Sequence, residues 1–192
     1  MLTTLELRWF SQGTLPTEVE HWFLADSPGE LLGSPEERED LYLYTPECDY
    51  LNIKLRQGRL EVKWRKAQLG SLEFGEASSA TWQGNVEKWL KWICDDPEQE
   101  SIMPVDVVGT KAWIRVQKTR SQRLCQGISY ELTQLRVNNN DWWSIAFEVA
   151  QKDTDQIEHF ENVVRLVSQT YPGSELIAEN SYGYPKWLTL VA

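Results

Sequence analysis

The stretch Tyr50–Lys66, YLNIKLRQGRLEVKWRK, alternates apolar and polar residues with period two on both sides of Gln57-Gly58. The local structure that satisfies this pattern is two antiparallel strands joined by a two-residue turn. With the turn at Gln57-Gly58 the cross-strand partners follow directly. Leu55 opposes Leu60, Ile53 opposes Val62 and Leu51 opposes Trp64, which makes one side of the hairpin apolar. The other side pairs Arg56 with Arg59, Lys54 with Glu61, Asn52 with Lys63 and Tyr50 with Arg65, and it carries five cations against one carboxylate. Like charges set opposite each other destabilise a hairpin. This face must therefore lie in open water or surround something negative.

The overall charge makes the cationic face unusual for this chain. Its 192 residues include 19 Lys and Arg against 29 Asp and Glu, a net −10. An acidic surface repels nucleic acid and anionic membrane, and neither is expected as a partner. Hydrophobic residues make up 41% of the chain, a composition and length that fit one globular domain over residues 1–192. Cys48, Cys94 and Cys125 are widely spaced, and with only His21 and His159 beside them no zinc pattern assembles. Thiols left reduced, no basic leader in MLTTLELRWF and no run of membrane-span length together predict a cytoplasmic protein.

Read in order, Leu2–Phe10 predicts a strand with Leu5, Leu7 and Trp9 on one face and Thr4, Glu6 and Arg8 on the other. A short helix follows from Thr17 through Val19, Trp22 and Phe23, and the acidic Ser27–Asp40 reads as a solvated loop before a strand at Leu41–Tyr44. Gln68–Trp82 is poorly periodic, with a weak strand near Leu72–Phe74. Val86, Trp89, Leu90 and Ile93 fall at helical spacing and predict an amphipathic helix over Asn85–Ile93. Strands are expected at Thr110–Arg120, Ser129–Leu135 and Trp142–Ala150, the last two joined by a turn in Asn138–Asp141. A second helix opens at Thr154 or Asp155, with Ile157, Phe160, Val164 and Val167 as its apolar stripe, and the segment after Pro172-Gly173 reads as extended or mixed. At least six strands with two or three helices between them define an α+β fold with a predominantly antiparallel sheet.

The polar positions of successive strands are charges rather than Ser, Thr or Asn: Glu6 and Arg8, Lys54 and Arg56, Lys63 and Arg65, Lys118 and Arg120, then Glu131 and Glu148. An open sheet would leave them in water. A closed barrel with its helices outside buries the same apolar faces and turns the charges onto a shared tunnel. Arg and Lys in such a tunnel suit phosphate oxygens, and carboxylates suit a divalent cation. Arg115 and Lys118 cannot share a strand face without a bulge.

In the order and spacing of these motifs the chain resembles the CYTH, or triphosphate tunnel metalloenzyme, superfamily. Glu6-x-Arg8 stands where that family carries Glu-x-Glu-x-Lys. The charged hairpin, Lys118-x-Arg120, the strand with Glu131, the Trp-rich strand with Glu148 and the closing Ser181-Tyr182 follow in the family's order. The resemblance implies an eight-stranded antiparallel β-barrel with a charged lumen and helices packed outside. It implies metal-dependent hydrolysis of a triphosphate compound, inorganic or nucleoside, with Mg²⁺ or Mn²⁺ as cofactor. Carried over, Arg8, Lys54, Arg56, Lys63, Arg65, Lys118 and Arg120 would contact triphosphate oxygens, and Glu6, Glu131 and Glu148 would bind the metal. Lys118 and Arg120, rather than Arg115, match the motif and are expected inside.

The chain also departs from the pattern. Thr4 stands for the first Glu of the first-strand motif, Thr133 for an Asp after Glu131, and Ala146 for the Glu that would begin a Glu-x-Glu pair. About half the family's metal carboxylates are missing while the cations remain. A non-catalytic tunnel that binds polyphosphate, a nucleotide or another anion therefore stays open beside the hydrolase, as does a sheet whose charges face solvent. The expected partner is a small anionic substrate, and the Trp-rich surface leaves room for a homodimer.

Overall fold

The computed structural model describes residues 1–74, 81–93, 113–150 and 156–192. The first half of the chain holds β1 (Leu2–Gln12), α1 (Thr17–His21) continued by a π-helical turn at Trp22–Asp26, β2 (Glu30–Leu31), β3 (Glu36–Leu43), β4 (Leu51–Arg56), β5 (Arg59–Phe74) and β6 (Trp82–Ile93). The second half holds β7 (Trp113–Cys125), β8 (Ile128–Val137), β9 (Asn140–Ala150), α2 (Gln156–Ser168), a 3-10 turn at Ala178–Asn180 and α3 (Tyr184–Val191). Neighbouring strands run β7-β3-β4-β5-β6-β1-β9-β8, all antiparallel, and β8 pairs back onto β7. Eight strands thus close into a barrel, with the short β2 added along β7. Closure removes the free edges of the sheet and turns one face of every strand inward.

The hairpin forms in the register its sequence dictates, with Leu51 against Trp64, Ile53 against Val62 and Lys54 against Glu61. Gln57 and Gly58 both take positive φ, 50° and 78°, the turn whose twist matches that of the flanking strands. Asn138 and Asn139 do the same between β8 and β9, at 49° and 63°. Gly58, Asn138 and Asn139 reach the left-handed region at little cost, whereas Gln57 takes it under the demand of the turn.

Four segments differ from the sequence expectation. Asn85–Ile93 is the second half of strand β6, paired with β1 and β5 along its length. Its apolar residues fall on both strand faces, Val86 and Leu90 on one and Trp89 and Ile93 on the other, which hides the period of two, and pairing on two sides decides for the strand. Residues 36–40, expected within a solvated loop, form the first half of β3, paired with β7 throughout and with β4 from Asp40 on. β5 runs on to Phe74 through register shifts at Arg65/Ala67 and Gln68/Gly70, and these bulges break the period-two signal. The tail closes with the helix α3, Pro185 lying in its first turn. The starts expected at Thr110 and at Thr154 or Asp155, the acidic break at 95–101 and Cys94 lie outside the described residues.

Two apolar cores flank the barrel wall. The larger lies outside it, where Leu5, Leu7 and Trp9 of β1 and Ile145, Phe147 and Val149 of β9 meet Trp22, Phe23 and the Phe160, Val163, Val164 and Val167 face of α2. The smaller sits at one end of the barrel, and α3 belongs to it. There the inward positions turn apolar, as Phe10, Tyr42, Val116, Leu135 and Val137, and they receive Trp187 and Leu188. The Trp187 ring stacks on Phe10 with centroids 5.1 Å apart, and Tyr184 stacks on Tyr42 at 5.2 Å. The helices were expected outside, yet α3 stops this end of the barrel. No helix among the described residues is long and apolar enough to cross a membrane.

Candidate functional site

Above the apolar stopper the lumen is a cavity of about 340 Å³ lined by eight cationic side chains and five carboxylates. Of the residues expected to contact an anion, Arg8, Lys54, Arg56, Lys63, Lys118 and Arg120 all line it, on β1, β4, β5 and β7. Arg65 does not, and is held instead by Glu87 at 2.8 Å and Asp49 at 3.1 Å. Lys118 and Arg120 lie inside, whereas Arg115 points outward to an ion pair with Glu39. β7 reaches this arrangement by plain alternation, without a bulge.

Three buried carboxylates organise the cations. Asp40, fully buried, takes Lys118 at 3.1 Å, Arg56 at 3.3 Å and Arg38 at 3.5 Å. Glu61 takes Lys54 at 3.1 Å, Lys91 at 3.4 Å and Arg56 at 3.5 Å. Glu131 takes Arg8 at 2.7 Å and Arg120 at 3.4 Å. Burial alone would raise the pKa of all three, but the surrounding cations outweigh it and hold each below the usual carboxylate range. Arg38, Asp40, Glu87 and Lys91 escaped the sequence reading, Arg38 and Asp40 inside an acidic run and Glu87 and Lys91 inside the expected helix. The available signal was alternation, since Arg38, Asp40 and Tyr42 lie two apart and face one way.

The cations gather over the aromatic stopper. Lys118 Nζ lies 2.5 Å from the Tyr42 hydroxyl, and it stands over the Tyr184 ring, as does the Arg8 guanidinium at 4.8 Å from the centroid. Burial pushes the Lys118 ammonium down to about 7, with Asp40 opposing and Arg38, Arg56 and Arg8 adding to the fall. Lys54 is likewise pushed well below its ordinary value, first by burial and then by Arg56 and Lys118. Arg120 Nε, in the cavity lining, is buried and finds no hydrogen-bond partner among the described residues. Unpaired polar atoms of this kind are what the oxygens of a bound anion would satisfy.

The expected metal ligands Glu6, Glu131 and Glu148 also line the cavity, on the adjacent strands β1, β8 and β9. Holding Mg²⁺ or Mn²⁺ requires carboxylate oxygens that converge and are free to coordinate. Among the described residues no group of three or more His, Cys, Asp or Glu converges in that way. Glu131 is engaged by two arginines, and Glu6 by Lys63 and by the Thr4 hydroxyl at 2.6 Å. Glu148 lies beside Glu6 in the β1–β9 register with Lys63 at 3.8 Å, and its pKa is raised by burial and by Glu6 and Glu131. As arranged, these donors do not fit a divalent metal.

No protein-family model matches the sequence, and no curated protein is similar to it. Solved structures do share the architecture. A candidate adenylate cyclase from Bacillus halodurans superposes with a TM-score of 0.52 at 13% identity, over 94% of this chain and 96% of the other. An RNA triphosphatase from S. pombe, solved with the Spt5 CTD, gives 0.52 at 12% identity, over 88% and 86%. The chain has the fold of the CYTH, or triphosphate tunnel, superfamily.

Proposed function

We propose that the cavity binds the polyphosphate end of a small anionic compound, inorganic triphosphate or a nucleoside triphosphate, and that binding rather than turnover is its function. The observation that carries this reading is the convergence of eight cations on about 340 Å³ of lumen lined by five carboxylates, with Asp40 and Glu36 paired behind them, in a chain whose net charge is −10. Excess positive charge in a walled cavity focuses the field on whatever anion enters, and guanidinium groups match phosphate geometry. The name of one structural neighbour, an RNA triphosphatase, agrees with a triphosphate ligand. Metal-dependent hydrolysis, which the resemblance implied, needs carboxylates that the ion pairs of this cavity hold.

The test is calorimetric titration with inorganic triphosphate and with ATP, beside phosphate-release assays with and without Mg²⁺ or Mn²⁺. One-to-one binding without metal-stimulated release is the expected result. Release that depends on metal and is abolished by Glu148→Ala would establish the hydrolase instead. Absence of binding by either compound would overturn the proposal.

A further inference from the structure

The arrangement around β9 carries the reading of the cavity one step further. Arg8 of β1 and Glu131 of β8 are both register partners of Ala146, on its two sides. The Arg8 guanidinium crosses above that methyl group to reach Glu131 at 2.7 Å, and it also donates to Ser144 Oγ at 3.1 Å. A longer side chain at 146 would stand in its path. Two register pairs away on the same face, Glu6 and Glu148 are direct partners across β1 and β9, and the Lys63 ammonium from β5 is paired with both. Two side-chain cations are thus paired with the three expected metal carboxylates, Lys63 with Glu6 and Glu148 and Arg8 with Glu131.

We propose that this tunnel binds its polyphosphate ligand without a divalent metal, Lys63 and Arg8 standing in the positions between carboxylates that a metal ion would take. The inference rests on the anion-binding reading above. Its physical basis is charge. A divalent cation entering the lumen would have to displace Lys63 from Glu6, or Arg8 from Glu131, and leave that cation buried without its partner. It would also enter a cavity in which positive groups already outnumber negative ones. A polyphosphate meets the opposite balance, because among the described residues Lys54, Arg56, Lys91 and Lys118 share only two carboxylates, Asp40 and Glu61. The place of Thr4 fits the same account: its hydroxyl donates to Glu6 rather than adding a second carboxylate.

Titration of the wild-type chain with inorganic triphosphate, once in EDTA and once in excess Mn²⁺, tests this directly. Titration with Mn²⁺ alone is the companion measurement. Affinity for triphosphate in EDTA is expected within about threefold of that in metal, and Mn²⁺ alone gives no saturable binding. Lys63→Gln, which frees Glu6 and Glu148, is expected to weaken triphosphate binding in EDTA and to gain a Mn²⁺ site. Triphosphate binding only in the presence of metal, or a Mn²⁺ site in the wild type, would overturn the inference while leaving the anion-binding function intact. Failure to bind triphosphate under either condition would overturn both. The wild-type titrations decide the question even if the variant does not fold.

Discussion

Lys118 Nζ lies 3.9 Å from the centre of the Tyr184 ring. The two residues come from different elements, β7 and α3. Lys118 belongs to a strand whose alternation aims it into the lumen, and Tyr184 opens the helix that stops the barrel. Their contact makes the floor of the cavity both aromatic and cationic.

That position makes anion binding pH-dependent. Lys118 faces Asp40, Arg38 and Tyr42 of β3, Arg56 of β4, Arg8 of β1 and Tyr184 of α3, and burial among them pushes it from 10.5 down to about 7. Between those values the unfolded chain holds a proton that the native state lacks, so this group's contribution to stability rises with pH across that window. A bound anion favours the charged form and returns the proton. Calorimetry at about pH 8 in buffers of different ionisation enthalpy is expected to show proton uptake on triphosphate binding, with affinity falling as pH rises above about 7. Uptake unchanged in Lys118→Gln would contradict this assignment.

Asp40 is the counter-charge for the floor. Asp40→Asn removes the carboxylate shared by Lys118, Arg56 and Arg38, and is expected to cost about 3–5 kcal/mol in denaturant unfolding. Because its native pKa is depressed, the wild-type contribution is complete above the ordinary 3.8 and is lost as pH falls below it. A variant as stable as wild type would mean that the cations find other partners.

The stopper is tested by Trp187→Ala. The Trp187 ring is fully buried and stacked on Phe10, and truncating it leaves a cavity at the end of the barrel. A loss of about 3–5 kcal/mol is expected by chemical denaturation. A loss below about 1 kcal/mol would show that α3 is a detachable cap rather than part of the core.

Local pattern carried the hairpin, because Gln57-Gly58 fixes its own turn and each partner follows by counting. The charged lumen was equally legible wherever a strand alternates cleanly, as in Glu6 with Arg8 or Lys118 with Arg120. Arg38 and Asp40 were hidden because an acidic run reads as solvated until its neighbours β4 and β7 are known. Glu87 and Lys91 were hidden because residues four apart also share a helix face. The missing carboxylates at Thr4, Thr133 and Ala146 were visible in sequence. That Arg8 would cross Ala146 to Glu131 was not, since it depends on the register of three strands.

The measurement that bears most directly on the whole account is triphosphate affinity in two single variants, Lys54→Gln and Arg115→Gln. Lys54 lines the cavity on Glu61, and Arg115 lies on the outer wall in an exposed pair with Glu39. The account predicts that Lys54→Gln weakens binding by about tenfold or more, the scale of one charged hydrogen bond, and that Arg115→Gln leaves it unchanged. Equal loss in the two variants, or no loss in either, would contradict a lumen site and return the charged faces to the solvent.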